Sequence, residues 1–436
     1  MMTPQQWLQH DDAPVKVDFW MRNLASLSGK LAKLNIPLLI AKKKTFEDSA
    51  KTIVQLAKKH ECAIVYWNRE YEANESARDW STEKILSKAG VTVQQFHDRV
   101  IVPPEEIETK DGRFYSVYTP YRKVWDTKFV DRLDVLAKPR KQKPIDVAAD
   151  PVPEKVAGFN FNGVRSDLWQ EGENQASRLL QAFAQHINAY GTDRDVPSVN
   201  GTSLLSPYLA AGVISPSQCV TAVLAACQNK LVKESGPGVW VSEITWRDFY
   251  AHVMVGFPRV SMNQPFKSKT LGVPWRSDAD DLAAWKSGMT GYPIVDAGMR
   301  QLNQTGWMHN RLRMVTAMFL TKNLLIDWRL GERYFMQNLV DGDLAANNGG
   351  WQWSASTGTD AVPYFRIFNP FSQSKRFDPD GKFIKRFCPE LESVPARQLH
   401  NVDKFAAAAS GLDYPRYIVD YKEGRERALA AFKSLG

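Results

Sequence analysis

Short apolar runs alternate with amphipathic segments over the first hundred residues. Between about residues 24 and 102, apolar positions recur at helical spacing over 45–59 and 75–88. The stretches between these segments predict strands at IPLLI (36–40), AIVYW (63–67) and VTVQQF (91–96). Strands separated by helices usually pair in parallel, so the pattern predicts an α/β domain with a Rossmann-like parallel sheet.

A different pattern begins after residue 166, where helical periodicity continues almost throughout. Pro and Lys dominate the preceding stretch AKPRKQKPIDVAADPVPEK, which is typical of an interdomain linker. We therefore predict an α/β domain over residues 1–128, a linker over 129–165 and an all-α domain over 166–436. The longest predicted helices of the all-α domain cover residues 169–190, 216–231, 239–256, 292–303 and 308–328.

Composition excludes several classes of protein. Hydrophobic residues make up 44% and charged residues 24% of the chain, which is typical of a globular protein. The four cysteines and seven histidines show neither CxxC nor HxxxH spacing, so we predict no disulfide framework and no metal site. No apolar run approaches the ~18 residues that span a bilayer, and no secretion signal opens the chain, which predicts a soluble, cytoplasmic protein.

The charge balance suits a polyanionic partner. Lys and Arg number 56 against 48 Asp and Glu, which gives a formal net charge of +8. The sequence contains neither a GxGxxG loop after a predicted strand nor a GxxxxGK[ST] motif. Phosphate groups would therefore need another kind of binding site.

Hydroxyl groups cluster in GTSLLSPYLAAGVISP (201–216), where Thr202, Ser203 and Ser206 precede a predicted helix. Backbone N–H groups and hydroxyls in such a turn can bind phosphate without lysine. An ordinary helix cap uses the same residue types, so both interpretations stay open.

The segment VWVSEITWRDFY (239–250) places an aromatic ring, a carboxylate and a guanidinium on one helical face. These side chains belong to Trp240, Glu243 and Arg247, and Trp246 lies on the neighbouring stripe. A solvated ion pair would produce the same pattern, so function is one of two interpretations.

The segment GWMHNRLRMVTAMF (306–319) combines aromatic, amide and cationic side chains. Trp307, Asn310 and Met314 share one helical stripe, with Arg311 and Arg313 beside it. Such a face suits the stacking of planar groups and contact with phosphate. A core helix with arginines that extend to solvent is the alternative.

Tryptophan is concentrated in one part of the chain. Eight of the 14 tryptophans lie between residues 240 and 353. Two of them belong to the stretch 341–373, which has low helix propensity and also contains Asp341, Asp343, Asn347 and Asn348. The two aspartates could bind a metal, but no further ligands occur at a recognisable spacing.

Two stretches carry a family resemblance almost residue for residue: TGYPIVDAGMRQLNQTGWMHNRLRM and DGDLAANNGGWQWSASTGTDAVPYFRIFNP. They resemble the photolyase/cryptochrome flavoproteins, and most closely the bacterial class I cyclobutane pyrimidine dimer (CPD) DNA photolyases. Weaker similarity extends over nearly the whole chain. The resemblance implies an α/β antenna-binding domain, an all-α FAD-binding domain and light-dependent repair of UV-damaged DNA.

The resemblance implies that FAD is bound in a bent form within the helical domain. The positions that match its phosphate and ribitol contacts are Tyr190, Thr202, Ser203, Leu204, Leu205 and Ser206. Those that match contacts to its rings and adenine are Trp240, Glu243, Arg247, Trp307, Asn310, Arg313, Asp341, Gly342, Asp343 and Asn347. Asn347 matches the residue that faces flavin N5, where many cryptochromes carry Asp or Cys, and this favours repair over signalling.

The resemblance also implies a pocket for a flipped-out pyrimidine dimer. The positions that match lesion or DNA contacts are Arg194, Glu243, Trp246, Asn310, Arg311, Met314, Trp353 and Gln373. An extruded dimer needs flat apolar walls, polar contacts to its base edges and cations on the flanking phosphates. Trp246 and Trp353 would be the walls, and Glu243 would stabilise the dimer as it accepts an electron.

Trp351, Trp328 and Trp275 match the family's electron-transfer chain from the flavin to the surface. The implied reaction begins with reduced, anionic FAD that absorbs blue or near-ultraviolet light and passes an electron to the dimer. The ring then splits and the electron returns, so the enzyme is a lyase with no net redox change. The resemblance thus gives Glu243, Asn347 and the three tryptophans catalytic roles.

The start of the chain departs from the family pattern. Family members usually open with a strand, a helix and a second strand, and here MTPQQW matches the segment directly after that unit. We therefore expect an N-terminally incomplete α/β domain with exposed sheet edges, explained more readily by a misplaced start than by a biological truncation. His10, Asn74 and Glu75 match positions that hold a 5,10-methenyltetrahydrofolate antenna, but the Cys-Lys pair expected near Ser261 and Met262 is absent.

Three other functions compete with CPD repair. A cryptochrome-type blue-light receptor is the main alternative, and Asn347 favours repair over this function. A (6-4) photolyase would need a histidine pair near the flavin, and WMHNRLRM offers only His309. A light-independent flavin oxidoreductase lacks its nicotinamide-binding fingerprint. We expect a monomer that binds dimer-containing DNA and no membrane, and that associates with the nucleoid when bound to DNA.

Overall fold

A computed structural model describes residues 1–133 and 137–435. The first part of the chain contains α1 (Pro4–Gln9), α2 (Pro14–Lys33), α3 (Phe46–Lys59), β1 (Ile64–Asn68), α4 (Ala73–Lys88), β2 (Thr92–Phe96) and α5 (Tyr118–Lys128). The remainder is helical, with α6 (Glu173–His186), α7 (Tyr190–Asp193), α8 (Ser206–Ala210), α9 (Pro216–Ala226), α10 (Gly236–Gly256), α11 (Ala279–Ser287), α12 (Pro293–Thr305), α13 (Asn310–Met318), α14 (Trp328–Met336), α15 (Leu344–Ala355), α16 (Pro370–Phe377), α17 (Lys382–Phe387), α18 (Ala396–Leu399), α19 (Val402–Ala408) and α20 (Tyr421–Lys433). The predicted combination of an α/β part and an all-α part is confirmed.

The described residues contain one small parallel sheet. β1 pairs with β2 in register from Ile64 opposite Thr92 to Asn68 opposite Phe96, so two of the three predicted strands are confirmed. The predicted strand at 36–40 is wrong. Its backbone bonds instead to Asp150, whose carboxylate accepts from the N–H of Ile40 at 2.7 Å and whose N–H donates to the Leu38 carbonyl at 2.8 Å. Apolar residues at 36–40 signalled partial burial, but a strand also needs a neighbouring strand to pair with.

The two faces of the sheet differ. Val65, Trp67 and Val93 pack against α3 and α4 in a small apolar cluster. On the opposite face Ile64, Tyr66 and Phe96 are exposed, with the Tyr66 and Phe96 rings stacked at 6.2 Å between centroids. One face of the sheet therefore presents apolar side chains to solvent.

Three predicted helices end several residues earlier or begin several residues later than the pattern indicated. The segment 216–231 is helical only as far as Ala226. The segment 169–190 becomes helical only at Glu173. The segment 308–328 is interrupted: α13 ends at Met318, a π-helical turn comes next, and α14 starts afresh with Asp327 accepting from the N–H of Arg329. The cause of the break is a tertiary contact, because the Leu325 carbonyl accepts from the N–H of Arg276 at 2.7 Å.

The glycine-rich stretch after residue 341 forms α15 despite its low helix propensity. Asp343 caps the helix, its carboxylate accepting from the N–H of Ala346 at 3.0 Å. α15 then packs against α10, α13 and α14. A Cβ at Gly349 would lie 2.2 Å from the Tyr250 ring, so glycine permits the close approach of α15 to α10. Burial and capping thus outweigh propensity here.

The largest apolar core joins the two parts of the chain. Phe19 of α2 contacts Tyr208 edge-on at 5.2 Å, and Tyr121 of α5 lies 5.1 Å from Phe249 of α10. Asp248 of α10 accepts from the indole N–H of Trp125 and the N–H of Ile101, each at 2.9 Å. α10 is therefore both the central helix of the second part and the surface on which the first part packs.

Candidate functional site

The loop before α8 presents unused hydrogen-bond donors. Within the described chain, the backbone N–H groups of residues 202–205 donate to no protein acceptor. Leu204 has a φ of 53°, a left-handed conformation that costs a leucine free energy and that the surrounding fold must support. The hydroxyl of Ser206 accepts from the indole N–H of Trp307 at 3.3 Å, which joins two motifs about a hundred residues apart.

The predicted face of α10 is present, although its members differ in burial. Trp240 is buried, packs against Phe183 at 5.5 Å and lies near the buried Tyr190. Arg247 donates to the carbonyls of Arg99 and Leu209, the second at 3.2 Å. Trp240 is thus largely a core residue, whereas Arg247 ties α10 to the loop after β2 and to the end of α8.

Half-buried Arg313 pairs with the buried carboxylate of Asp341. The guanidinium donates to both carboxylate oxygens, at 3.0 and 2.8 Å, and also to the Met308 carbonyl at 2.8 Å. Gly342 comes directly after Asp341, with its N–H near the Leu339 carbonyl. The pair holds the start of α13 beside the segment that leads into α15.

Asn347 lies one turn into α15. Its side-chain N–H donates to the backbone carbonyl of Glu332 at 3.0 Å, which fixes the amide and leaves its oxygen free to accept. The Glu332 side chain accepts from Asn348 at 3.1 Å, and burial raises its pKa to about 7. An amide acceptor therefore stands beside a buried carboxyl group.

This set of donors and acceptors suits FAD. The free N–H groups and hydroxyls of residues 202–206 would hold the diphosphate, because such donors favour an anion. The oriented amide of Asn347 offers an acceptor for a ring N–H, and Arg247, Arg313, Asp341 and Asp343 supply compensated charge nearby. The residues that the sequence assigned to FAD from five separate segments are consistent with one binding site.

Charged residues predicted to contact the lesion form a chain. Arg194 donates to Glu243 at 2.6 Å, and Arg311 donates to Asp195 at 2.7 Å. Asp195 also lies 3.8 Å from Arg194, so it joins the two arginines. Sequence reasoning missed Asp195, although its position beside Arg194 was a signal. Arg311 also lies over the Phe377 ring at 4.4 Å and contacts the Met314 sulfur.

The Trp246 ring is supported from one side. It stacks on Tyr118 with 3.6 Å between centroids and an interplanar angle of 4°. The Tyr118 hydroxyl bonds to the Ser242 hydroxyl at 2.8 Å, which fixes the ring that carries Trp246. Tyr118 comes from the first part of the chain, and no local pattern pointed to it.

The other predicted lesion residues lie nearer the surface. Trp353 and Gln373 are half-buried, and Asn310 is exposed at the start of α13. Among the described residues, the side chains of Asn310 and Gln373 have no hydrogen-bond partner. Their amides are available to a ligand, in contrast to the paired arginines.

Of the three tryptophans assigned to electron transfer, only the last in the predicted order is partly exposed. Trp351 and Trp328 are buried, whereas Trp275 is half-buried and contacts Phe432 edge-on at 6.0 Å. A Cβ at Gly331 would lie 2.1 Å from the Trp351 ring, so this glycine admits the indole against α14, the helix that Trp328 begins. Trp285, which the sequence did not single out, lies 5.9 Å from Trp351.

The three residues matched to an antenna meet at one point. His10 faces Asn74 at 3.0 Å through Nε2 and Glu75 at 3.3 Å through Nδ1. Burial alone would lower the pKa of His10, but the contact with Glu75 raises it above its ordinary value. Ser261, which occupies the region without the expected Cys-Lys pair, accepts from the N–H of Ala73 at 2.9 Å.

Comparison with known proteins assigns the family. Residues 240–434 match the FAD binding domain of DNA photolyase, and residues 1–142 match the DNA photolyase domain. Deoxyribodipyrimidine photo-lyases of Vibrio cholerae and Escherichia coli are 44% and 43% identical over 99% of this chain and 92% and 91% of their own lengths. The chain belongs to the DNA photolyase family. The predicted family membership and FAD binding are confirmed.

Solved structures of the photolyase and cryptochrome groups share the fold. A bacterial class III photolyase from Agrobacterium tumefaciens matches with a TM-score of 0.86 and 36% identity over 97% of this chain and 89% of its own. A Synechocystis cryptochrome matches with a TM-score of 0.81 and 27% identity over 96% of this chain and 89% of its own. Overall fold therefore does not separate the two groups.

No helix in residues 1–133 or 137–435 has the length and apolar character to cross a membrane. The same residues contain no cluster of three or more His, Cys, Asp or Glu side chains arranged to bind a metal ion.

Proposed function

We propose that the chain repairs cyclobutane pyrimidine dimers in UV-damaged DNA in a light-dependent lyase reaction. The observation that carries this proposal is the double use of α10. Of its residues, Arg247 is assigned to FAD, Trp246 to the lesion and Glu243 to both. One rigid helix would thus hold cofactor and lesion at a fixed separation, which an electron transfer requires.

Reduced FAD, held by residues 202–206, Arg247 and Asn347, would supply the light-excited electron that opens the dimer, with no net redox change. The protein's own task is to bind and shield the lesion. Trp246, stacked on Tyr118, offers a rigid flat wall for an extruded pyrimidine dimer, and Trp353 is assigned to the other wall. Arg194 and Glu243 offer donors and an acceptor to the base edges, and Glu243 is assigned to hydrogen bonding as the dimer gains charge.

Repair of an oligonucleotide with a single thymine dimer tests this function. We expect the chemically reduced holoprotein to remove the dimer under blue light and not in the dark. Asn347→Asp, which places a carboxyl group where the amide contacts Glu332, should lower the repair rate while DNA binding persists. Bound FAD without any repair under light would overturn the proposal.

A blue-light receptor of the cryptochrome type is the second candidate, because the Synechocystis cryptochrome shares the fold. The same assay separates the two functions, because a receptor would bind FAD and respond to light without removing dimers. Conversion of the dimer in the light would exclude a receptor without repair activity.

We assign Trp351, Trp328 and Trp275 to reduction of oxidised flavin and not to repair itself. Trp328→Phe keeps an apolar ring in a buried position but removes an oxidisable indole. We expect photoreduction to be lost and repair by chemically reduced protein to be retained. Loss of both activities in a folded variant would show that the assignment is wrong.

We also propose a 5,10-methenyltetrahydrofolate antenna at His10, Asn74 and Glu75, and a monomeric protein. Release of pigment from purified protein and its absorption spectrum test the antenna. A flavin as the second pigment would contradict the folate assignment. An archaeal photolyase from Sulfolobus tokodaii was solved with two FAD molecules, so a second flavin is the specific alternative to test. Light scattering during gel filtration tests the monomer.

A further inference from the structure

Arg99 connects the start of α4 with the start of α15. It lies in the loop after β2, and its guanidinium donates to both carboxylate oxygens of Glu72 at 2.7 Å. The same group donates to the Asp343 carboxylate at 2.7 Å. Glu72 precedes α4 and Asp343 precedes α15, so one side chain joins the two helix starts.

The geometry of this contact is more specific than a surface ion pair. The fork of Arg99 is bidentate on Glu72, and the Glu72 and Asp343 side chains are only 7% and 11% exposed. Desolvated, bidentate pairs of this kind are directional and costly to break on one side. Arg99 also accepts from Arg247 through its backbone carbonyl, so a second basic residue of the predicted FAD site is tied to it.

Asp343 is held by two independent contacts. One carboxylate oxygen accepts from the N–H of Ala346 and caps α15, while the other accepts from Arg99. Burial alone would raise the pKa of Asp343, but Arg99 and Arg247 keep it far below its usual range. Asp343 is therefore an anion whose position and charge both depend on Arg99.

The directly connected groups balance in charge. Glu72 and Asp343 are acidic, and Arg99 and Arg247 are basic. Removing Arg99 leaves an uncompensated negative charge beside the site assigned to FAD, whereas removing the Glu72 charge leaves an uncompensated positive one. Solvent and salt screen such poorly exposed charges only weakly. Either substitution therefore changes the electrostatic potential at a bound cofactor.

We propose that Arg99 is a positioning residue of the flavin site, which fixes Asp343 at the start of α15 and cancels its charge so that the site favours the reduced, anionic cofactor. This inference rests on the proposed function, because it takes Asp343 and Arg247 as neighbours of FAD. Nothing in the local sequence around Arg99 suggests the role, since its partners lie 27 and 244 residues away.

Paired substitutions of the holoprotein test the inference through the midpoint potential of bound FAD, which reports the ratio of affinities for its reduced and oxidised forms. We expect Arg99→Gln to weaken binding of the reduced form relative to the oxidised form by about tenfold. Glu72→Gln should change the ratio in the opposite direction. The double variant, with the balance restored, should return towards the value of the unmodified protein.

Arg165→Gln is the matched control, because it makes the same charge change in a pair whose side chains are 49% and 62% exposed. It should leave the potential unchanged. If Arg99 had only a structural role, both single variants would shift the midpoint potential in the same direction or not at all. That result would overturn the inference. If Arg99→Gln does not retain FAD, the direction in which Glu72→Gln shifts the midpoint potential is by itself the test of the inference.

The unmodified protein separates this inference from the proposed function. If it repairs dimers and the two single variants show no opposite shifts, the role of Arg99 is wrong and the function stands. If it binds FAD and repairs no dimer, the proposed substrate fails, while opposite shifts of the potential would still support the role of Arg99.

Discussion

Glu332 is a buried carboxyl group next to the residue assigned to face the flavin. Among the described residues, its carboxyl group accepts a side-chain hydrogen bond only from Asn348, at 3.1 Å, while its backbone carbonyl holds Asn347. Burial disfavours the charged form and raises the pKa to about 7. Ionisation of Glu332 should therefore weaken the structure around Asn347.

The sign of this effect is set by proton binding. Between its ordinary pKa and about 7, Glu332 binds more protons in the folded chain than in the unfolded chain. Its contribution to stability is complete below the ordinary value and is lost as the pH rises through 7. Glu332→Gln keeps an acceptor for Asn348 and should abolish this pH-dependent loss of stability, which amounts to about 3 kcal/mol.

Denaturant unfolding at pH values from 4 to 8 measures this effect. Glu154→Gln, at an exposed position, serves as the control and should show the pH profile of the unmodified protein. A Glu332→Gln profile that also matches the unmodified protein would mean that Glu332 does not titrate in this range.

Several site residues could not be found by local reasoning. The resemblance supplied Arg194, Glu243 and Arg311. Asp195 is next to Arg194 in sequence, but its contact with Arg311 is visible only in the folded chain. Tyr118 supports Trp246 across 128 positions of sequence and belongs to no spaced motif. Contacts of this kind are set by tertiary packing, which a single sequence does not display.

At the scale of elements, hydrophobic periodicity predicted the interior of most helices. It failed where hydrogen bonds to distant backbone groups determine whether an element forms or where it ends. The strands at 64–68 and 92–96 are correct because each has the other as partner, and the run at 36–40 has none among the described residues. The break between α13 and α14 depends on a bond from Arg276, about fifty residues away. The helix at 344–355 depends on its cap and on burial and not on propensity.

The crossing of α10 and α15 yields a prediction from two adjacent glycines. A Cβ at Gly349 would meet the Tyr250 ring at 2.2 Å, whereas a Cβ at Gly350 would have no atom within 4 Å. We expect Gly349→Ala to lower the free energy of unfolding by about 1 to 3 kcal/mol through overpacking. Gly350→Ala should be neutral or stabilise by about 0.5 to 1 kcal/mol, because alanine is the better helix former.

Chemical denaturation of both variants checks this prediction under identical conditions. The adjacent position controls for helix propensity, so the difference between the variants reports the contact with Tyr250. Equal stabilities would indicate that α15 shifts away from α10 at no cost.

At the scale of the whole molecule, the net charge of +8 predicts binding to DNA that weakens as salt rises. Affinity for dimer-containing DNA, measured between low and physiological ionic strength, should fall linearly on a double-logarithmic plot. Arg311→Gln should reduce the slope by about one unit if this side chain neutralises a phosphate. Arg165→Gln should leave the slope unchanged, and a flat response of the unmodified protein would contradict phosphate-led binding.

The apolar core that runs from α2 and α5 into α10 has a consequence for heat denaturation. Phe19, Tyr121 and Trp125 are fully buried against residues of the helical part, so neither part completes its interior alone. Calorimetry should record one cooperative melting transition rather than two separate ones. A protein cut at the predicted linker should then melt as one unit only while its two fragments remain associated.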